Sequence, residues 1–239
     1  MLWVDLRFLS RNWLKTLATT LVAPVLYLLA FGYGLGRGVT VEGYRYLEFV
    51  IPGIIALTAM TTCFNAAGMK LHVDRLFYKC FDEALMSPIS FFSIIVGKTL
   101  IGVVRGLIST AALLAACFVF SPLPAVNALF WLTLVVTCFV FSFLGVLIAL
   151  IAKSHQDMSV FMSLVILPMS FLSGTFFSLS QVPVALRIVL SFSPLTHTSL
   201  CLRASALGQP FPWVSLVVLL GFGAVFFGLC FVALKRTSL

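Results

Sequence analysis

Long apolar runs alternate along this chain with short polar interruptions. The runs at 16–36, 49–68, 93–120, 127–152, 159–180 and 213–234 each reach the length of about 20 residues that a helix needs to cross a bilayer. The pattern predicts an all-α membrane protein with six crossings. No interruption is long enough for a soluble domain, so one membrane domain covers 1–239.

Three segments outside these runs have a pattern of their own. Residues 2–13 set Leu2, Trp3, Leu6, Leu9 and Trp13 at helical spacing, with Asp5, Arg7 and Arg11 elsewhere around the helix. This predicts an interfacial helix with tryptophans in the headgroup layer; the alternative is a frayed tail. The connection at about 69–88 mixes Lys70, Asp74, Arg75, Lys79, Asp82 and Glu83 with Leu71, Leu76, Phe77, Phe81 and Leu85, and Pro88 ends it. Such an amphipathic helix either lies back on the membrane or docks into a partner. The stretch from Gln181 to Trp213 is bounded by prolines, and Pro194 breaks its apolar middle. A re-entrant or interfacial helical hairpin over about 184–207 fits it better than a seventh crossing.

Composition changes the picture only by closing off alternatives. Hydrophobic residues make up 62% of the 239 and charged residues 9%, against about a quarter charged in soluble domains. A mean hydropathy of +1.16 leaves too few charges to cover a soluble surface. The net charge of +8 is spread in ones, twos and threes between apolar runs, as topology signals are, so nucleic acid is not an expected partner. Arg7, Arg11, Lys15, Lys70, Arg75, Lys79, Lys153, Lys235 and Arg236 fall on one side of the predicted crossings. Only Arg37, Arg45, Arg187 and Arg203 fall on the other, which places both termini in the cytoplasm. The first run is too long for a cleaved signal and reads as an uncleaved anchor. The six cysteines show no CxxC pair and the three histidines are scattered, so packing thiols and no metal site are expected.

Candidate chemistry is sparse. Gly97-Lys98-Thr99 resembles the end of a phosphate-binding loop, but the required glycine five residues earlier is Phe92, inside an apolar run. No catalytic residues and no bound cofactor are expected. None of the seven acids lies in mid-span, which argues against ion-coupled secondary transport. Lys98 and Arg105 are the intramembrane charges; seven residues apart, they share a helix face. Lys98 either snorkels to the surface or meets a polar partner, and Arg105 lies deeper, where an acid or helix end is the expected partner. Gly102 and Gly106, like the glycines at 32, 34, 36 and 38, permit close helix contact.

Leu172-Ser173-Gly174-Thr175-Phe176-Phe177, then Leu179, Gln181 and Pro183, then Ser193-Pro194-Leu195-Thr196-His197 and Arg203 form an ordered set of short motifs. Tyr46, Phe49 and Ile51-Pro52-Gly53, and Ser87-Pro88-Ile89 ahead of Gly97-Lys98, extend it through nearly the whole chain. The set resembles the membrane permeases of type-2 ATP-binding-cassette (ABC) exporters, a group with polysaccharide, nodulation-factor and drug exporters. Ser178 departs from it, standing where many relatives have proline, and the segment before the first span is short.

The resemblance implies a non-catalytic exporter subunit of an inner (plasma) membrane with six spans. The hairpin between the last two would be extracellular. It implies a dimer of two permease copies with two copies of a separate ABC ATPase, which carries ATP and Mg. In that light 69–88 becomes the coupling helix, with Arg75, Phe77, Phe81, Asp82 and Glu83 as its ATPase-contacting candidates. The first and fifth spans would line the path, offering Tyr27, Phe31, Tyr33, Met162, Phe171, Phe176 and Phe177. This aromatic, nearly uncharged lining suits an amphipathic substrate such as a lipid-linked glycan or a hydrophobic drug; each aromatic could equally face lipid. A stand-alone secondary transporter or channel, or a non-transporting membrane assembly factor, remains the alternative.

Overall fold

The computed structural model describes residues 7, 11, 13–35, 38, 40–79, 81, 86, 89–120, 126–178 and 182–237. The first helix, α1, runs over 13–35 and passes from α to π geometry at Leu28. A two-stranded hairpin follows, Thr40–Val41 paired antiparallel with Tyr44–Arg45. Its turn puts Gly43 and Glu42 at positive φ, a conformation that glycine adopts without strain. Then come α2 (Tyr46–Leu76), α3 (Phe91–Phe120), α4 (Ala128–Ile151), α5 (155–172), α6 (Val184–Ser191), α7 (Pro194–Ala206) and α8 (Trp213–Thr237).

Four of these, α2, α3, α4 and α8, are long and apolar enough to cross a membrane; the apolar part of α1 is shorter. Burial separates their roles. α2 is sunk in the bundle, 83% of its most apolar window buried, whereas α8 buries only 17% of its own. The exposed apolar side chains of α8 and α6 include Val214, Val217, Val184 and Ile188. A lipid-facing helix needs no polar outer surface, which is why hydropathy alone could not rank these helices by burial.

α2 can be central because its contacts are made through small residues. A Cβ added to Gly145 of α4 would stand 2.7 Å from the carbonyl oxygen of Phe64 in α2. One added to Gly68 of α2 would stand 2.8 Å from the carbonyl oxygen of Gly145. The two backbones therefore touch. Gly102 and Gly106 of α3 abut Ala67, Cys63, Ser142 and Cys138 in the same way, so this small-residue pair packs within the chain. The free thiols Cys63, Cys117, Cys138, Cys201 and Cys230 are all buried, as packing groups.

The boundary at 69 differs from the sequence reading. The segment expected to begin at 69 is continuous with α2 up to Leu76, through a π turn at Asn65–Met69. Gly68 does not break the helix there, because its missing side chain is needed for the α4 contact. The chain turns only after Phe77, with Lys79 at φ 53. The stretch 184–207 is two helices joined at Phe192 and Ser193, about 12 and 20 Å long and each too short to cross a bilayer. Of the expected interfacial helix at 2–13, only Arg7, Arg11 and Trp13 lie within the described residues, each helical.

α7 is buried nearly throughout and is tied in by one arginine. Arg203 is 4% exposed; its Nε donates to the carbonyl of Phe49 at 3.2 Å and its Nη2 to that of Gly174 at 2.9 Å. The guanidinium carbon lies 3.7 Å from the centre of the Phe49 ring. Around it, Ser199 donates to the Ser173 carbonyl at 3.1 Å, Ser173 and Ser193 share a 2.7 Å bond, and Tyr46 donates to the Phe176 carbonyl at 3.0 Å. A Cβ on Gly53 would stand 2.5 Å from the Thr175 carbonyl oxygen. The motif residues scattered through the sequence are thus gathered into one knot joining α2, the end of α5 and α7.

Two outcomes follow for purified protein in detergent. Gly145→Val is expected to cost about 3 kcal/mol or abolish folding, since Phe64 backbone must move to admit the side chain. Gly228→Val, where nothing lies within 4 Å, is expected to melt like the parent. Arg203→Leu should lower stability by about 2–3 kcal/mol, and Arg203→Lys by less, because lysine keeps the charge but loses the planar fork. Thermal melts compare all four.

Candidate functional site

Two regions gather the residues that the sequence singled out. The first is the end of α2 and its neighbours. Lys98 of α3 is 5% exposed and donates from Nζ to an Asp74 carboxylate oxygen at 2.5 Å. Lys70, one turn before Asp74, approaches the other carboxylate oxygen at 3.2 Å. Lys98 therefore does not snorkel; a carboxylate on the neighbouring helix neutralises it. Arg75 reaches the other way: its Nη1 donates to the carbonyls of Ala149 at 3.1 Å and Leu150 at 2.5 Å. These belong to the last turn of α4, where carbonyls lack intrahelical partners and the helix dipole favours a cation. The end of α2 is thus clamped to α3 by an ion pair and to α4 by a guanidinium.

Beyond the clamp, Phe77 and Tyr78 are 70% and 69% exposed at the turn. Phe81 points inward instead, 2% exposed among Leu71, Ile95 and Leu150. Of the aromatic coupling candidates, Phe77 is the one presented to the outside. Asp82 and Glu83 lie outside the described residues. Nearby, the His72 and His155 rings lie with centres 5.7 Å apart, tilted by 37°. Asp157 accepts from the backbone N–H groups of Lys153 at 2.9 Å and Ser154 at 3.0 Å, capping α5. Those bonds hold its carboxyl below the usual range.

The second region lies between α1, α2 and α5. Phe176 stacks on Phe31 at 4.5 Å between centres, with Tyr27 at 5.7 Å and Phe171 at 6.0 Å. Four of the path candidates are therefore one aromatic cluster, and Phe177 follows half-buried. Tyr33 continues α1, its side chain outside the described set. Met162 joins Tyr27 in lining a cavity of about 340 Å³ together with Pro24, Leu57, Ile166 and Ser170. Its wall on α5 is a π segment, Met162–Ile166, a distortion frequent at functional sites.

Sequence reasoning missed a second, polar cavity of about 330 Å³ between α1, α2 and α3. Arg105 lines it together with threonines of α1 and α2. The signal was present: Thr16, Thr19 and Thr20, and Thr58, Thr61, Thr62 and Asn65, recur at helical spacing and make a polar stripe on each apolar helix. Asp74 as the partner of Lys98 was equally out of reach, since 24 residues and a turn separate them. No group of three or more metal-ligating side chains occurs among the described residues.

Comparison with known proteins agrees with this arrangement of apolar helices. The chain is 29% identical over 230 residues to the inner membrane transport permease YadH of Escherichia coli (strain K12), covering 95% of this chain and 90% of that protein. It is 31% identical over 215 residues to nodulation protein J of Rhizobium leguminosarum bv. viciae, covering 82% and 77%. Nodulation protein J of Rhizobium meliloti (strain 1021) is 26% identical over 205 residues, covering 85% and 78%. The family model described as ABC-2 type transporter matches residues 1–207, a stretch holding both cavities, the Asp74 clamp and the Arg203 knot, and the chain belongs to that family.

Proposed function

We propose that this chain is the membrane subunit of an ATP-driven exporter. Two copies form the translocation path, and a separate ABC ATPase, also in two copies, carries ATP and Mg and docks against the turn after α2. The observation that carries the reading is the pairing of exposure with anchorage at that turn. Phe77 and Tyr78 project from it, while Asp74 and Arg75, three and two residues before Phe77, fasten the same helix to α3 and α4. A push on an exposed aromatic pair would otherwise be absorbed by bending; here it is passed to three helices at once.

In this reading α1, α2, α3, α4, α5 and α8 are the six crossings, with both termini in the cytoplasm, in line with the Lys and Arg distribution. The pair α6 and α7 is a re-entrant hairpin at the opposite face, which the length of each helix supports. Residues 69–88 act as the coupling element, and an interfacial helix at 2–13 lies at the same membrane surface. The path runs along α1 and α5, past the Tyr27, Phe31, Phe171 and Phe176 cluster. Aromatic faces beside an apolar cavity suit an amphipathic molecule, such as a lipid-linked glycan or hydrophobic drug, over an inorganic ion. The relatives named as transport permease and nodulation protein support the transport reading.

Two measurements separate docking from transmission. Phe77→Ala with Tyr78→Ala is expected to weaken capture of the co-expressed ATPase about tenfold or more, as loss of aromatic anchors does. Undiminished capture would remove this turn from the interface. Asp74→Asn leaves Lys98 buried without its counter-charge, a defect of about 3 kcal/mol or more. It should leave ATPase capture largely intact while reducing export, and Asp74→Leu with Lys98→Met should recover stability but not export. Export by the double variant at the parental rate would show that the clamp is packing alone.

A further inference from the structure

The end of α2 is tied to α3 through Asp74 and to α4 through Arg75. Toward α5 it presents a histidine. Phe64 of α2 stacks on Phe161 of α5 with ring centres 5.8 Å apart, and further along the same seam His72 meets His155 at 5.7 Å. His155 is the first residue of α5 and is exposed, whereas His72 is fully buried. Neither Nδ1 nor Nε2 of His72 has a hydrogen-bond partner among the described residues. Buried polar atoms are nearly always partnered, because each otherwise forgoes its bond to water. A buried imidazole with both nitrogens idle, beside a second imidazole that water can reach, is the arrangement to be explained.

We propose that His72 and His155 bind a divalent transition cation of the Zn²⁺ class, which staples the end of α2 to the start of α5. Two imidazoles on one tetrahedral zinc, at about 2.1 Å each, hold their ring centres roughly 5–6 Å apart, the separation found here. No hydrogen bond fixes the tautomer of His72, so the nitrogen nearer the metal can carry the lone pair without any bond being broken. The charged groups facing His72 are Arg75 of its own helix and Asp157 of α5. Arg75 is turned to the carbonyls of Ala149 and Leu150, which draws its guanidinium toward α4. Asp157 caps the first turn of α5 and sets a negative charge against the positive end of that helix. Exposed His155 gives the ion its way in from water, and two protein ligands leave two tetrahedral positions for solvent. Imidazole nitrogen selects Zn²⁺, Co²⁺ and Ni²⁺ over the oxygen-seeking Mg²⁺ and Ca²⁺. A cation there joins the end of α2 to the helix that carries the Met162–Ile166 π segment. The site stands whether or not the chain is an exporter.

The test uses the full-length protein, purified without a polyhistidine tag and held in phosphatidylcholine nanodiscs. Zn²⁺ binding is read by competition with a fluorescent chelator, and Co²⁺ binding by visible absorption. Zn²⁺ is expected to bind in the presence of excess Mg²⁺ and Ca²⁺. His72→Ala and His155→Ala should each weaken it about tenfold or more, while His197→Ala should bind as the parent does. Co²⁺ should show the bands of a four-coordinate nitrogen and oxygen site, with no thiolate band in the near ultraviolet. Bound Zn²⁺ should also slow amide hydrogen exchange at the end of α2 and the start of α5 in the parent, and not in His155→Ala. Unchanged Zn²⁺ affinity in His155→Ala, displacement by Mg²⁺ or a thiolate band overturns the site. Tight binding with exchange unaltered at both helix ends overturns the staple. If His72→Ala does not fold, His155→Ala, at an exposed position, decides alone.

Discussion

Backbone contact between α2 and α4 is the constraint on which the rest of the structure depends. Helices in a bilayer gain little from burying apolar side chains, since lipid tails are as apolar as leucine. Close van der Waals contact has to supply the association, and that needs residues without bulk at the crossing. Gly68 and Gly145 meet where a single added Cβ would strike a carbonyl, and Gly102 and Gly106 bring α3 to the same place. Once α2 is sunk between α3 and α4, its remaining faces are left for α1, α5 and α7. The two cavities and the knot occupy those faces.

The short motifs that mark the family are, in this light, mostly structural. Phe49, Gly53, Gly174 and Arg203 are remote in sequence, yet they form one buried contact set. Arginine suits this place because two backbone carbonyls and one aromatic face can be satisfied by a single planar cation. It fixes a buried helix, α7, against the start of α2 through bonds to backbone carbonyls. The knot lies at one end of α2, and the Asp74 clamp at the other.

Between those two ends the helices that line the cavities depart from regular geometry. Among the described residues, two of the three π segments border the cavities, and Pro24 interrupts the hydrogen-bond ladder of α1 beside one of them. The aromatic cluster around Phe176 adjoins the knot, since the Phe176 carbonyl accepts from Tyr46.

Sequence alone determined the membrane class, the six apolar runs, the break at Pro194 and the family, since each depends on composition or on order along the chain. It also gave the intramembrane charges, because Lys98 and Arg105 stand out in a run of apolar residues. It could not give their partners. Asp74 and Lys98 lie on different helices, Phe77 and Phe81 read alike yet face opposite ways, and 70–76 turned out to continue α2. Burial rank was also hidden, because lipid-facing and core-facing helices are equally apolar and no polar stripe records which side meets protein. Tertiary packing decided these points: which glycines touch, which cation meets which oxygen, and which threonines end up facing one another across a cavity.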